Sequence, residues 1–151
     1  MTVEITKATN ANDVAAVKQL FRDYAEWLPI DLGFQGFEEE MESFPEKYVL
    51  LLLAKEAGKP IGAVGLIPHG PGSCEMKRLF VSPTVQSKGA GSALCEQLMT
   101  EAKNLGYHTM VLDTLSRLKP AVSLYRKLGF TEIAPYNINP EANVTYMSKT
   151  L

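Results

Sequence analysis

Two hydrophobic periods alternate along the chain, and their succession predicts its elements. Val3 and Ile5 alternate with polar neighbours as a short strand. Val14, Val17, Phe21, Tyr24 and Leu28 then recur at helical spacing, with Asn12 or Asp13 as the N-cap and Trp27 and Pro29 closing the helix. Gly33 and Gly36 precede an acidic helical segment near Phe37 to Phe44. Tyr48 to Ala54 is a nearly continuous apolar run, as a strand covered on both faces requires, and Gly58-Lys59-Pro60 turns it into Ile61 to Ile67. The turn His69 to Ser73 leads into Cys74 to Val81, where alternation puts Glu75, Lys77, Leu79 and Val81 on one face and Met76, Arg78 and Phe80 on the other. Beyond Pro83, Leu94, Leu98, Ala102 and Leu105 form one helical stripe that Gly106 stops. Met110 to Asp113 reads as a strand, and Pro120 opens a helix carrying Ala121, Leu124, Tyr125 and Leu128 as far as Gly129. Phe130 to Ile133 and Val144 to Met147 supply two closing strands.

The predicted order is strand, two helices, three strands, helix, strand, helix, two strands, with no internal repeat. Helices between successive strands imply an α/β or α+β sandwich with at least one parallel strand pair. The 151 residues suit a single domain spanning 1–151, and 46% hydrophobic with 21% charged residues suits a soluble globular chain. A net charge of -2 and the lack of an arginine-rich segment argue against a nucleic-acid partner. The first ten residues lack the regions of a signal peptide, and the Tyr48 to Ala54 run is too short to span a bilayer, so the expected location is cytoplasmic without membrane contact. Cys74 and Cys95 have no metal-ligand spacing to His69 or His108, both read as solvated; the cysteines are expected to be reduced thiols, and no metal is expected.

Candidate chemistry concentrates after Cys74. Gln86, Ser87, Lys88, Gly89, Ala90 and Gly91 form a turn rich in backbone donors that opens a helix, and a helix start carries unpaired N–H groups and the positive end of the dipole. The turn is therefore an anion cradle to which Lys88 adds a full charge. A P-loop would place Lys-Ser or Lys-Thr after the second of two glycines, whereas Lys88 precedes Gly89. A dinucleotide fingerprint would need a third glycine where Leu94 stands, although Asp113 lies about 22 residues beyond Gly91, near the ~20 expected of a ribose-binding acid.

A third pattern fits. Gln86-x-x-Gly89-x-Gly91, preceded by Leu79-Phe80-Val81-Ser82-Pro83 and followed by Leu124, Tyr125, Gly129 and Phe130, resembles the signature of the GNAT superfamily of acyl-CoA-dependent N-acetyltransferases. Gln86 stands where Arg is commoner, which removes one charge from the loop. The resemblance implies a mixed, bent central sheet of about seven strands flanked by about four helices. In such a sheet the strands at Cys74 to Val81 and Met110 to Asp113 splay apart to admit the pantetheine arm of acetyl-CoA, which pairs with the backbone groups left open. The cofactor-contacting set it implies is Leu79, Phe80, Val81, Gln86, Ser87, Lys88, Gly89, Ala90, Gly91, Ser92 and Tyr125.

The same resemblance assigns the chemistry. Tyr125 matches the family tyrosine that protonates the leaving thiolate, and the Val81 N–H matches the donor to the thioester carbonyl. Glu75 is the candidate base, with a salt bridge to Lys77 or to a neighbouring strand as the alternative. A carboxylate of ordinary basicity is a weak base toward an ammonium, so it would work through water or after burial. Asp31, Gln35, Arg78, Tyr136 and Asn139 are the candidate acceptor-side residues. Glu38, Glu39, Glu40 and Glu42 read as a solvated helix face that could also attract an amine. Phe34, Phe37 and Phe44 are core plugs or part of a loop that closes over ligand.

The function expected is transfer of an acetyl group from acetyl-CoA to the primary amine of a small molecule or amino-acid-like acceptor, by direct attack and without a cysteine acyl-enzyme. The alternatives are a protein or peptide N-acetyltransferase and a non-catalytic acyl-CoA-binding regulatory module. A homodimer is expected by resemblance alone.

Overall fold

The computed structural model describes residues 3–32, 36–85 and 89–151. Its elements follow the predicted order: β1 (Val3–Lys7), α1 (Ala11–Trp27), α2 (Phe37–Glu42), β2 (Leu50–Glu56), β3 (Lys59–Pro68), β4 (Ser73–Val81), α3 (Ala90–Asn104), β5 (Thr109–Leu115), α4 (Lys119–Lys127), β6 (Thr131–Ile133) and β7 (Val144–Thr150). The strands form one mixed seven-stranded sheet in the order β1-β2-β3-β4-β5-β7-β6, in which β4 and β5 are the parallel pair and the other neighbours are antiparallel.

Alternation along β2 sorts side chains onto two cores. Leu52 and Ala54 pack with Leu94, Leu98 and Ala102 of α3 and Tyr125 of α4, whereas Leu51 and Leu53 pack with Val17 and Phe21 of α1 and Phe37 and Met41 of α2. The sheet is thus covered on both faces, α1 and α2 on one and α3 and α4 on the other, which accounts for the apolar run in its centre. Among the described residues, no helix is long and apolar enough to cross a membrane.

Four sequence expectations are corrected. The N-cap of α1 is Asn10, whose side chain accepts from the Asp13 N–H at 2.8 Å, so neither Asn12 nor Asp13 serves. Leu105 caps α3 at 57% exposure, outside the buried stripe of Leu94, Leu98 and Ala102, because the helix ends at Asn104. Glu40 does not belong to a solvated acidic face; it is buried against Arg78.

The fourth correction concerns β4. Its register against β3 runs from Gly65 opposite Lys77 to Ala63 opposite Phe80, so Arg78 and Leu79 together oppose Val64. Arg78 has φ of +58°, and this β-bulge reverses the alternation. Met76 packs on the α3 side and Phe80 on the α1 side, although strict alternation puts them on one face. Glu75, Lys77, Arg78 and Phe80 therefore face α1 and α2, and Leu79 and Val81 face α3 and α4.

Candidate active site

β4 and β5 stay paired only at Ser73–Thr109, Cys74–Met110 and Glu75–Val111. Beyond Glu75 they part, and the gap between them is the site. Ladder geometry shows what the gap exposes. Hydrogen-bonded and non-hydrogen-bonded pairs alternate along antiparallel strands. The Ser82 N–H donates to the Ile61 carbonyl at 2.8 Å, so the adjoining Val81–Gly62 pair is non-hydrogen-bonded and the Val81 N–H points away from β3, into the gap.

A cavity of about 390 Å³ crosses the sheet there. Leu79, Val81, Gly91, Leu124 and Tyr125 line its α3–α4 side, and Tyr24, Trp27 and Phe80 its α1 side. Trp27 is 49% exposed and lies 6.0 Å from the Phe80 ring, forming a partly open aromatic wall. Tyr125 is fixed by the period of α4, by burial, and by an edge-on contact with Phe130 at 5.9 Å. Burial, supplemented by the negative charge of Asp113, raises its phenol well above the usual value, so it stays protonated. Among the described residues no group accepts a hydrogen bond from its hydroxyl.

The start of α3 borders this cavity. Gly89, its N-cap, has φ of +85°, a conformation that favours glycine, and supplies no capping side chain. The first-turn N–H groups of this 15-residue helix therefore lack a side-chain cap. Ala90 is buried beneath them, and Gly91 and Ser92 are half-buried. Gln86, Ser87 and Lys88 lie outside the described residues, as does Gln35 on the acceptor side.

A second, narrower cavity of about 50 Å³ adjoins on the α1 side, between Leu28, Ile30 and Leu32 above and Lys77, Arg78, Asp113 and Asn139 below. Tyr24 and Thr114 line both cavities, so the two are ends of one cleft. The segment between β6 and β7 folds over its polar floor. Tyr136 donates to Glu75 Oε2 at 2.7 Å, Asn137 Nδ2 to Asp113 Oδ2 at 3.1 Å, and Tyr146 to Asn137 Oδ1 at 2.7 Å. Glu75 is buried, with Lys77 Nζ 3.7 Å from Oε2, so it combines the predicted salt bridge with a place beside the gap. His69 is half-buried and meets Tyr136 edge-on at 4.6 Å instead of being freely solvated, whereas His108 is exposed.

The candidate acceptor residues divide. Asn139 lines the cleft, with its Oδ1 also accepting from the Glu141 N–H at 2.9 Å, whereas Tyr136 lines neither cavity and bears on the site through Glu75. Arg78 lines the cleft too, but both of its hydrogen-bonding ends are engaged by Glu40 and its guanidinium lies 4.9 Å from the Phe37 ring. Asp31 lines a third cavity with Arg22 and Glu38, which shares Ile30 and Leu32 with the acceptor end. Asp113, Lys77 and Tyr146 were not among the candidates. An acid inside the apolar strand Met110-Val111-Leu112-Asp113 was the available signal, and it could have been weighed for this cleft.

Both thiols are free and buried, with burial pushing Cys74 up to about 11 and Cys95 up to about 12. Neither is a thiolate near neutral pH. The groups that converge on the gap are a backbone donor, a phenol and a carboxylate, a set suited to acyl transfer.

Comparison with known proteins agrees with this geometry. The model of the acetyltransferase (GNAT) family matches residues 14–130. An uncharacterized N-acetyltransferase of Schizosaccharomyces pombe is 37% identical over 96% of this chain and 93% of its own length. Another, from Dictyostelium discoideum, is 32% identical with all of both chains covered. The crystal structure of PaiA N-acetyltransferase from Thermoplasma acidophilum in complex with coenzyme A has the same fold, with a TM-score of 0.77 and 19% identity over 100% of both chains. With this cleft, this sheet order and these relatives, the chain belongs to the acetyltransferase (GNAT) family.

Proposed function

We propose that this acetyltransferase moves the acetyl group of acetyl-CoA to the primary amine of a small molecule or amino-acid-like acceptor by direct attack in a ternary complex. The observation that carries the reading is the parting of β4 from β5 after Glu75, with the Val81 N–H and the Tyr125 hydroxyl left at the cavity that crosses the gap. The cleft fits the cofactor. It offers unpaired strand backbone to an amide arm, and uncapped N–H groups at the start of α3 to a pyrophosphate. Gln86, Ser87 and Lys88 complete that anion site in this reading. Acetyl-CoA supplies an activated acetyl carbonyl and a thiolate leaving group.

The Val81 N–H donates to the carbonyl oxygen as it becomes negative. Tyr125 donates a proton to the departing sulfur, and its raised phenol keeps that proton available at neutral pH. Glu75, held by Tyr136, receives the proton the amine gives up, through water where the distance requires it. As the C–N bond forms and the C–S bond breaks, the amine loses one proton and the sulfur gains one, leaving an amide and a free thiol. The protonated state of Cys74 and Cys95 supports transfer without an acyl-enzyme and suits a reducing, cytoplasmic setting. The narrow acceptor end favours a small molecule over a peptide, which needs an open groove.

The test is thiol release from acetyl-CoA across polyamines, amino acids, aminoglycosides and short peptides, with Tyr125→Phe alongside. Release should depend on one acceptor class and fall about 100-fold in kcat in the variant. Tight acetyl-CoA binding with no acceptor supporting release would overturn the reading in favour of a binding module.

A further inference from the structure

The charges at the acceptor end do not balance. Arg78 and Glu40 hold each other in a buried bidentate pair, which Lys47 joins at 3.2 Å without lining the cleft. Lys77 and Glu75 form the other pair, at 3.7 Å. Asp113 remains. The Asn137 amide that donates to it at 3.1 Å is neutral, and among the described residues no cation lies within ion-pair distance of its carboxylate. Asp113 is half-buried on β5, opposite Tyr146, in a cleft walled by Leu28, Ile30, Leu32 and Val144. An uncompensated carboxylate lining a cleft with apolar walls attracts a cation that enters beside it.

Position makes the imbalance useful. Thr114, the next residue, lines both cavities, so a group held on Asp113 stands where the acceptor end meets the end that holds Tyr125. Asp113 shares the acceptor end with Tyr24, pairs across the strands with Tyr146 and is linked to the Tyr146 hydroxyl through Asn137. A carboxylate beside the reacting nitrogen would face both Asp113 and Glu75 there, with Arg78 and Lys77 already paired.

We infer that Asp113 is the specificity-determining residue that holds the ammonium form of the acceptor, and that the acceptor is a primary amine without a carboxylate on the carbon bearing that nitrogen. The inference rests on the acyl-transfer reading and narrows its acceptor class.

Three probes with one side chain separate charge from shape: pentylamine, norleucinamide and norleucine. With saturating acetyl-CoA, kcat/KM for the first two should exceed that for norleucine by about tenfold or more, because only norleucine adds its own carboxylate to those of Asp113 and Glu75. Asp113→Asn, which retains an acceptor for the Asn137 amide, should raise the KM for pentylamine about 10- to 100-fold, the range of a lost charge-assisted hydrogen bond. It should leave kcat within about threefold and the acetyl-CoA KM unchanged, the signature of lost uniform binding. Calorimetric titration of pentylammonium into wild type and Asp113→Asn in the presence of coenzyme A reads the same effect without turnover. Equal affinity in the two proteins, no binding to wild type, or a preference for norleucine over pentylamine overturns the inference. Binding that depends on Asp113 without thiol release would instead count against the acyl-transfer reading alone.

Discussion

Glu40 on α2 and Arg78 on β4 hold each other through two hydrogen bonds, Nε to Oε2 at 3.1 Å and Nη2 to Oε1 at 3.0 Å, with neither side chain more than 3% exposed. Tyr48 also donates to Glu40 Oε2, and Lys47 lies 3.2 Å from Oε1, so both carboxylate oxygens are shared. The pair ties the connection between α1 and β2 to the one residue of β4 with a left-handed backbone.

Removing one partner leaves the other charge buried alone. Glu40→Gln should lower the unfolding free energy by about 3–5 kcal/mol, and the double variant Glu40→Leu, Arg78→Met should recover much of it. Urea unfolding with a double-mutant cycle measures both. The pH dependence has a definite sign. Burial alone would raise the Glu40 carboxyl, but the Arg78 hydrogen bonds and charge, with help from Tyr48 and Lys47, lower it to about 2 from its ordinary 4.5. A depressed folded value contributes stability above the unfolded value. The wild-type advantage over Glu40→Gln should therefore be full above pH 4.5 and shrink as the pH falls from there through about 2.

The thiols should be chemically silent. Cys74→Ala and Cys95→Ala should each retain kcat within about twofold, since a protonated buried thiol is not a nucleophile. In native wild type, labelling by a disulfide reagent should follow protein opening and accelerate sharply in urea. A covalent acetyl adduct on Cys74, detected by mass spectrometry after incubation with acetyl-CoA, would contradict direct transfer.

Gly62 has no room for a side chain. A Cβ there would lie 2.8 Å from the Phe80 carbonyl oxygen, 3.1 Å from Val81 Cγ2 and 3.3 Å from Leu94 Cδ1. Gly62→Ala should push β4 outward at the residues lining the gap, destabilising the protein by about 1–3 kcal/mol. The acetyl-CoA KM should rise while the thermal midpoint falls. An unchanged KM would separate the β3–β4 contact from cofactor binding.

The element order was legible because each element carries its own period, and the local patterns agree with the fold. What escaped depends on partners far away in sequence. Glu40 reads like Glu38 and Glu39, since only Arg78, 38 residues further on, buries it. The bulge at Arg78 has no mark in a strand that alternates cleanly, and it changed the faces assigned to half of β4. Leu105 continues a helical stripe, but the helix ends before it. At the site, Tyr125, Val81 and Glu75 were legible because the family motifs mark their positions, and their roles remain proposals. In the sequence Asp113 reads only as the ribose-binding acid of a dinucleotide fingerprint that Leu94 breaks. Its interest appears only when the other charges of the cleft are seen to be paired.

The bulge also governs what kind of change β4 tolerates. One additional residue opposite Val64 lets the same strand wall the aromatic side of the cleft with Phe80 and the α3 side with Leu79 and Val81. Replacing a side chain there adjusts one contact by degrees. Closing the bulge without removing a residue would slip the strand by one and exchange the occupants of both walls at once. For this stretch the left-handed backbone at Arg78 is a stricter constraint than the side chains beside it, and a β-branched residue at 78 is the change it tolerates least.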